Sequence, residues 1–339
     1  MLDDTLISSI AAMLAVRSPN AINVKPWTTG GNNRVFIVSS GVTKVLAKWY
    51  YTNTSDQRDR LHAEWSFLKY AERAGITCVP RPISCDPARR LALYEFVNGR
   101  KLDAGEVSRG EIGQAASFFR RLNDPSKLAG ARELPAASEA CFSIVEHCAL
   151  IDRRLERLRS VMEESDVDRE ASALVLEIDD AWTAHKEAIT AGAKRLSWAP
   201  GTALDLQERC VSPSDFGFHN ILARDNGELC FVDFEYAGWD DPAKMAGDFF
   251  FQPAVPIDSS HFEWFLEQTF GTTTQVERVK ARARLLRPMF GIKWCCIVLN
   301  IFVAELANRA RFANPGTDIV LRKREQLRKA KAAFARIGS

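Results

Sequence analysis

The sequence predicts an α+β fold of two lobes, in which an antiparallel sheet with one main helix precedes a mostly helical lobe. Short strand-like runs separated by glycine-containing turns fill the first part of the chain, and helical periodicity dominates the remainder. With 339 residues, of which 46% are hydrophobic, the chain can bury a sizeable core. We place the first lobe at residues 1–97, a hinge at about 95–99, and the second lobe at 98–339.

The first lobe begins with three predicted strands joined by two tight turns. Residues 24–28 and 34–38 flank the turn at 29–33, and a second turn at 39–41 leads to a strand at 43–51. Both turns contain glycine, which adopts the positive φ angles of tight hairpins without steric cost. The pattern indicates an antiparallel arrangement.

A helix and a hairpin complete this lobe. Residues 56–74 carry apolar side chains at every third or fourth position, and Gly75 follows as a stop. Residues 82–85 and 91–97 then form two short apolar runs after a pair of prolines. They predict two more strands, of which the second leads into the hinge.

The second lobe is predicted to be helical except at residues 211–238, which hold two short strand-like runs and several loop residues. The helical segments lie at residues 109–123, 138–164, 169–195, 261–270 and 274–310, with a basic helix at the end.

Composition narrows the possible classes of function. The chain has 45 basic and 43 acidic residues, so a net charge of +2 gives no general attraction to nucleic acid or membrane. The acidic start and the short apolar segment at residues 7–16 predict an amphipathic surface helix instead of a secretory signal. The apolar run at 294–303 is too short for a bilayer and predicts a buried helix. The eight cysteines form no CxxC pair, which is typical of reduced thiols in a cytoplasmic protein.

Three polar residues of the second lobe suggest the chemistry. Asp215 and Asn220 are five residues apart, and Asp233 ends an apolar strand eighteen residues after Asp215 (233 − 215). Phosphoryl transfer requires a carboxylate at the attacking hydroxyl and oxygen ligands that hold Mg²⁺ against the phosphates. Asp215 fits the first role, and Asn220 with Asp233 fits the second. Because D-x-x-x-x-N alone also occurs in ordinary turns, the strand-ending Asp233 is the observation that favours a phosphotransferase.

The stretches SPSDFGFHNIL and CFVDFEYAGWDDPAKMAGDF resemble the aminoglycoside phosphotransferase and choline kinase family, whose members are small-molecule kinases with a protein-kinase-like fold. The resemblance is good from about Trp27 to Gln252. It implies an ATP- and Mg²⁺-dependent enzyme in which Asp215 is the catalytic base, while Asn220 and Asp233 bind the metal.

The same resemblance implies a phosphate-covering loop between the first two strands. Small residues there would let backbone N–H groups approach phosphate oxygens, although an ordinary hairpin turn would have a similar composition. The residues of this loop are Gly30, Gly31, Asn32 and Asn33.

Two charged residues of the first lobe are expected to act together. The run Val45-Leu46-Ala47-Lys48 resembles the V-A-I-K strand of kinases, which makes Lys48 the candidate for the α- and β-phosphates. Lys44 lies on the same face and competes with it, but the apolar run before Lys48 favours the latter. Glu64, sixteen residues later on the predicted helix, is the expected ion-pair partner.

The hinge is expected to meet the adenine ring. The resemblance places the main-chain groups of Glu95, Phe96 and Val97 beside the base.

Two positions depart from the family pattern. Pro213 replaces a histidine often found two residues before the catalytic aspartate, so other groups must brace this loop. Glu235 replaces the glycine of D-F-G and is either an additional Mg²⁺ ligand or a buried structural carboxylate. The missing D-F-G switch disfavours a protein substrate. His219 is expected to pack in the loop without a catalytic role.

The expected partner is a small molecule with a hydroxyl group, preferably a sugar or an amino-alcohol. An aminoglycoside-like or choline-like cation would need an acidic, aromatic pocket, whereas an acidic sugar would suit Lys293. A nucleotide-binding pseudokinase is the alternative from another class, and the intact set of predicted site residues disfavours it. Candidates for a cation pocket are Tyr236, Trp239, Trp294, Asp240 and Glu305.

Overall fold

The computed structural model describes residues 4–16, 18–27, 33–51, 58–161, 163–271, 274–303 and 318–337. It confirms the predicted α+β arrangement, with a five-stranded antiparallel sheet in the first lobe. The strand order is β1-β2-β3-β5-β4. The strands are β1 (Asn23–Trp27), β2 (Arg34–Ser40), β3 (Thr43–Trp49), β4 (Pro82–Asp86) and β5 (Leu91–Glu95).

Helices cover both faces of this sheet because its strands alternate apolar side chains between the two faces. Helix α1 (Asp4–Met13) buries Ile10 on the face that carries Leu91 and Leu93. Helix α2 (Arg60–Arg73) contributes Phe67 to the core on the opposite face. Its first turn is capped by Asp59, whose carboxylate accepts the backbone N–H of His62 at 2.9 Å. The helix therefore begins four residues after the predicted start.

The second lobe contains the remaining helices of the described residues and two short antiparallel ribbons. Strand β6 (Cys210–Ser212) pairs with β9 (Gly238–Asp240), and β7 (Ile221–Ala223) pairs with β8 (Leu229–Phe231). The helices are α3 (Arg109–Leu122), α4 (Ile144–Leu158), α5 (Asp166–Arg195), α6 (Pro242–Phe251), α7 (Phe262–Phe270), α8 (Thr274–Leu299) and α9 (Ile319–Ala335).

Several predicted boundaries were wrong. The interruption at 211–238 holds four short strands instead of two, since three-residue strands leave little periodicity in the sequence. Helix α4 begins at Ile144 because Ser143 and Glu146 form a capping box, which ends the preceding loop. Helix α8 ends at Leu299, and the predicted continuation over 304–310 lies outside the described residues.

The apolar run near residue 294 belongs to a longer helix than the sequence indicated. The segment Val276–Phe302 is long and apolar enough to cross a membrane by length and composition, so the predicted argument from length was wrong. Burial decides its role, because 67% of the most apolar window lies inside the protein. Ile292, Cys295 and Cys296 are fully buried, as expected of a core helix.

Stacked phenylalanine rings connect the ribbons to the helices around them. Phe118 on α3 stacks on Phe231 of β8 at 4.1 Å between ring centroids. Phe234, three residues after Phe231, stacks on Phe67 of α2 at 4.4 Å. The segment after β8 is therefore packed against helices of both lobes.

We predict that Gly238→Ala destabilises the fold by about 3 kcal/mol, because there is no room for a side chain at this position. An added Cβ would lie 2.2 Å from the backbone oxygen of Pro135 and 2.8 Å from the backbone nitrogen of Ala137. Denaturant titration measures the change in the free energy of unfolding. Gly201→Ala is the matched control, since nothing lies within 4 Å of its added Cβ. Equal stability of the two variants would contradict this prediction.

Candidate active site

Lys48 lies between the two lobes and is surrounded by carboxylates. Strand β3 directs its side chain inward, where its Nζ is 2.7 Å from Glu64 Oε2 on α2 and 2.6 Å from Asp233 Oδ1 after β8. Glu235 Oε2 lies 3.8 Å from the same nitrogen. The structure thus brings together Lys48, Glu64 and Asp233, which the sequence proposed as parts of one site.

Burial makes these contacts electrostatically strong. Lys48 is only 6% exposed, and burial alone would lower the pKa of its ammonium group. The charges of Asp233, Glu64 and Glu235 outweigh burial and hold that pKa well above its usual value. Lys48 is therefore charged at neutral pH. Lys44, the competing candidate, instead lies over the ring of Phe96 at 3.6 Å.

Glu64 is held by several donors. Its Oε2 accepts the Tyr50 hydroxyl at 2.6 Å, and its Oε1 accepts the backbone N–H of Phe234 at 3.2 Å. Burial raises the pKa of the Glu64 carboxyl, and Lys48 opposes the shift. Because Phe234 directly follows Asp233, one glutamate positions both Lys48 and the backbone next to the candidate metal ligand.

Asp215 is fixed at both of its carboxylate oxygens. His219 Nε2 lies 3.0 Å from Oδ1, and Asn220 Nδ2 donates to Oδ2 at 3.2 Å and to the Asp215 carbonyl at 3.0 Å. Burial raises the pKa of this carboxyl, but His219 and Asn220 more than compensate, and the net pKa is lowered. Asp215 is therefore ionised and oriented. The sequence missed this contact of His219, although a spacing of four residues within a tight loop allows it.

Two site residues have left-handed backbone conformations. Ser214, immediately before Asp215, has φ +66°, and Asp233 has φ +69°. Such angles are uncommon for residues other than glycine and cost about 1–3 kcal/mol each. Both lie next to a lysine that binds their side chain, which offsets the strain.

Lys244 supplies the brace that Pro213 cannot provide. Its Nζ donates to Ser214 Oγ at 3.1 Å and to Oδ2 of Asp240, the last residue of β9, at 2.6 Å. Asp248 lies 3.7 Å from the same nitrogen. Burial lowers the pKa of Lys244, but the two aspartates raise it above its usual value. Asp240, which the sequence suggested for a cation pocket, is fully buried and already paired with Lys244.

A second buried lysine extends this network. Lys293 on α8 lies 2.5 Å from Asp248 Oδ1, and burial lowers the pKa of its ammonium group more than Asp248 raises it. Trp294 Nε1 donates to the same carboxylate at 3.0 Å. Lys293 is 3% exposed and has its own counter-ion, so it is unsuited to bind an acidic sugar directly.

The other aromatic candidates for a cation pocket also have protein partners. Trp239 Nε1 donates to the Ala131 carbonyl at 3.0 Å. The guanidinium carbons of Arg58 and Arg60 lie 5.3 and 5.8 Å from the centroid of the Tyr236 ring. Protein cations therefore already occupy the surroundings of this ring. Glu305 lies outside the described residues.

Asn33 and Glu235 contact each other across the lobes. Asn33 Nδ2 donates to Glu235 Oε2, and Asn33 Oδ1 accepts the Tyr51 backbone N–H at 3.1 Å. Glu235 is 4% exposed. This geometry favours the structural carboxylate over the metal ligand for Glu235. The other predicted loop residues, Gly30, Gly31 and Asn32, lie outside the described residues.

At the hinge, Glu95 pairs with Arg81, which bears on the predicted contacts of adenine. The backbone N–H of Glu95 donates to the Arg81 carbonyl at 2.9 Å, and the Glu95 carboxylate accepts the Arg81 N–H at 3.2 Å. The N–H group of Glu95 is therefore used within the sheet. The other two predicted adenine contacts, Phe96 and Val97, lie between the end of β5 and the bridge that Arg100 forms with Ala223.

The oxygen groups fit a magnesium ion. The Asp233 side chain is 42% exposed, so its carboxylate is open to the cleft while Lys48 holds one oxygen. No group of three or more His, Cys, Asp or Glu in the described ranges has the geometry of a metal site. Mg²⁺ commonly takes one or two protein oxygens and completes its shell with phosphate oxygens and water. Asp233 and the Asn220 amide oxygen suit that mode of binding.

Comparison with known proteins places this arrangement in context. The family model described as "APH: Phosphotransferase enzyme family" matches residues 23–244. No curated protein matches the chain significantly.

Solved structures share the fold at low sequence identity. A choline kinase from Cryptosporidium parvum Iowa II is 15% identical, with a TM-score of 0.58 over 98% of this chain and 97% of the other. The choline kinase LicA from Streptococcus pneumoniae is 15% identical, with a TM-score of 0.57 over 98% of each chain. The spectinomycin phosphotransferase APH(9)-Ia, in complex with ADP and spectinomycin, is 12% identical, with a TM-score of 0.57 over 92% of each chain.

Asp241 caps α6, the helix that carries Lys244, and pairs with Arg282 of α8. Its Oδ1 accepts the Ala243 N–H at 2.8 Å, and its Oδ2 lies 2.7 Å from Arg282 and 3.0 Å from His147. Burial raises the pKa of the carboxyl, but Arg282 and His147 lower it to about 2. This value is below the pKa of about 3.9 in an unfolded chain.

We predict that Asp241 makes the fold sensitive to acid. Because its folded-state pKa of about 2 is depressed, its stabilisation is fully present above about pH 4 and is lost as the pH falls through about 2. The loss amounts to about 2.5 kcal/mol. Asp241→Asn should be less stable at pH 7 and should lose less stability between pH 5 and pH 2. Denaturant titrations at each pH measure both effects, and parallel pH profiles for the two proteins would disprove the assignment.

Proposed function

The chain belongs to the phosphotransferase enzyme family described by the matching model, as its sequence predicted, and on this premise we propose an ATP- and Mg²⁺-dependent kinase that phosphorylates a hydroxyl group of a small molecule. The contact that carries the proposal is the 2.6 Å ion pair between Lys48 and Asp233, which joins the two lobes at one cleft. Asp215 lies on the loop that leads into β7, and β7 pairs with β8, the strand that precedes Asp233.

Lys48 binds the α- and β-phosphates in this proposal. Its ammonium group keeps its charge because carboxylates surround it, and the ion pair with Glu64 would fix its position if Asp233 held a metal ion. Mg²⁺, when bound, neutralises the charge of the phosphate oxygens. Asp233 and Asn220 are the residues that would hold this ion.

Asp215 orients the acceptor hydroxyl and receives its proton. Each carboxylate oxygen has a second lone pair besides the one that His219 or Asn220 occupies, so the substrate O–H can donate to it. A lowered pKa makes Asp215 a weak base. This suits a loose transition state, in which positioning contributes more than early proton removal.

The acceptor that we favour is a sugar or an amino-alcohol. The choline kinases among the structural neighbours support the second class, and a spectinomycin phosphotransferase supports the aminoglycoside alternative. The proposed main-chain contacts of adenine are those of Glu95, Phe96 and Val97, and of these Glu95 has its N–H group engaged by Arg81.

We predict that Asp215→Ala lowers kcat by about two to four orders of magnitude, because a positioned general base contributes roughly that much. ADP release with Mg-ATP is measured against a panel of amino-alcohols, sugars and aminoglycosides, first with the wild-type chain. Nucleotide affinity of the variant should stay close to that of the wild type. A wild-type chain that binds ATP but turns over no acceptor in the panel would favour a pseudokinase, and near-normal turnover of the variant would refute the role of Asp215.

We predict that Asp233→Ala abolishes the Mg²⁺ dependence of nucleotide binding, since the variant loses the exposed carboxylate of the proposed metal site. Calorimetric titration with ATP is done in Mg²⁺ and again in EDTA. Wild type should bind more weakly in EDTA, whereas the variant should bind equally in both. Asp225→Ala, which removes an exposed carboxylate in the turn between β7 and β8, is the matched control and should behave as wild type. A variant that keeps its response to Mg²⁺ would rule out Asp233 as the principal ligand.

A further inference from the structure

The segment after the hinge lies beside β7, the strand that directly follows the catalytic loop at residues 215–220. Arg100 and Ala223 form an isolated antiparallel bridge, with Arg100 N–H to Ala223 O at 2.9 Å and Ala223 N–H to Arg100 O at 2.8 Å. Gly99 permits this approach, because an added Cβ would lie 3.0 Å from the Ala223 carbonyl oxygen. Ala223 ends β7, which begins directly after Asn220. The backbone of residue 101 is thus fixed beside the strand that leaves the site.

The Lys101 side chain extends from this segment to the catalytic loop. Its Nζ donates to the backbone carbonyl of His219, the residue between Asp215 and the proposed metal ligand Asn220. Burial of the ammonium group lowers its pKa, and the charges of Asp233 and Asp215 raise it in part, with a net lowering. The proposed base Asp215 and the proposed metal ligand Asp233 therefore both act on this ammonium group.

The carboxylates of the cleft would repel a triphosphate, so a second lysine there would favour nucleotide binding. Lys48 already faces the carboxylates of Glu64, Asp233 and Glu235. The catalytic loop from Asp215 to Asn220 contains no lysine or arginine. A triphosphate that enters beside Asp215 and Asp233 is repelled by both, and transfer of a phosphoryl group is favoured by cations near its oxygens.

We propose that Lys101 is a phosphate-binding residue, whose ammonium group exchanges the His219 carbonyl for phosphate oxygens when a nucleotide occupies the cleft. The exchange is favourable because a hydrogen bond between an ammonium group and an anionic oxygen is stronger than one to a neutral carbonyl. The lysine is exposed as a residue, so its flexible side chain can change rotamer without disturbing the core. This inference rests on the proposed function, since it assumes that the cleft binds ATP.

The test compares a series of nucleotides that differ only in the number of phosphates. Calorimetry gives the Kd of ATP, ADP, AMP and adenosine, the first two with Mg²⁺, for wild type, Lys101→Ala and Lys101→Arg. We expect Lys101→Ala to weaken the binding of ATP and ADP about tenfold, which corresponds to the loss of one charge-assisted hydrogen bond, and to leave the binding of adenosine unchanged. Lys101→Arg should restore most of the affinity, because it keeps the charge.

The neighbouring Arg100 provides the matched control. Its guanidinium group is paired with Glu106 at 2.7 and 2.8 Å and also donates to the Lys101 backbone carbonyl at 3.2 Å, so Arg100→Ala removes a cation from the same segment while the Lys101 ammonium group is kept. It should bind all four compounds as wild type does. An equal loss for adenosine and ATP in Lys101→Ala, or no loss at all, would overturn the role of Lys101 while leaving the kinase proposal intact. Failure of the wild-type chain to bind any of the nucleotides would instead overturn the proposed function, and this inference with it.

Discussion

The site depends on one buried cation that is shared by carboxylates from two lobes. Lys48 is nearly inaccessible to water, and its charge is tolerated only because Glu64 and Asp233 lie within 2.7 Å of it. Removing either carboxylate leaves a buried charge with fewer partners, which is costly. The same contacts set the distance between the sheet of the first lobe and the strand ribbons of the second. Charge balance at Lys48 therefore shapes the cleft in which we propose that the nucleotide phosphates bind.

A second ionic network takes over the support of the catalytic loop. In the family pattern a histidine often stands where this chain has Pro213, which has no side-chain donor. Here Lys244 reaches the loop from α6 and is itself held by Asp240 and Asp248. All three charged groups are buried, so the network is stable only when each member is paired. The loop is thus fixed from the helical core instead of from within its own sequence.

The sequence predicted the parts of the site that follow local rules. Lys48 lies in an apolar strand, Glu64 on an amphipathic helix, and Asp233 after another strand, and the resemblance to the phosphotransferase family implied that they would meet. Lys244 gave no such signal, because its partner Ser214 is thirty residues earlier and only the β6–β9 pairing brings the two segments together. The same holds for the aromatic candidates. Their aromatic character suggested a cation pocket. In the structure, however, Trp239 donates to a backbone carbonyl and the ring of Tyr236 lies beside two arginine side chains.

The two networks share a physical purpose, which is to hold strained backbone beside reactive groups. Ser214 and Asp233 are both left-handed, and each has a lysine on its side chain, Lys244 for the serine and Lys48 for the aspartate. A strained residue relaxes unless its surroundings fix it, and the free energy needed is about 1–3 kcal/mol at each position. A charge-assisted hydrogen bond supplies an amount of this order. The buried lysines therefore fix the backbone at Ser214 and Asp233, next to the residues that we propose for catalysis, as well as contributing their charge.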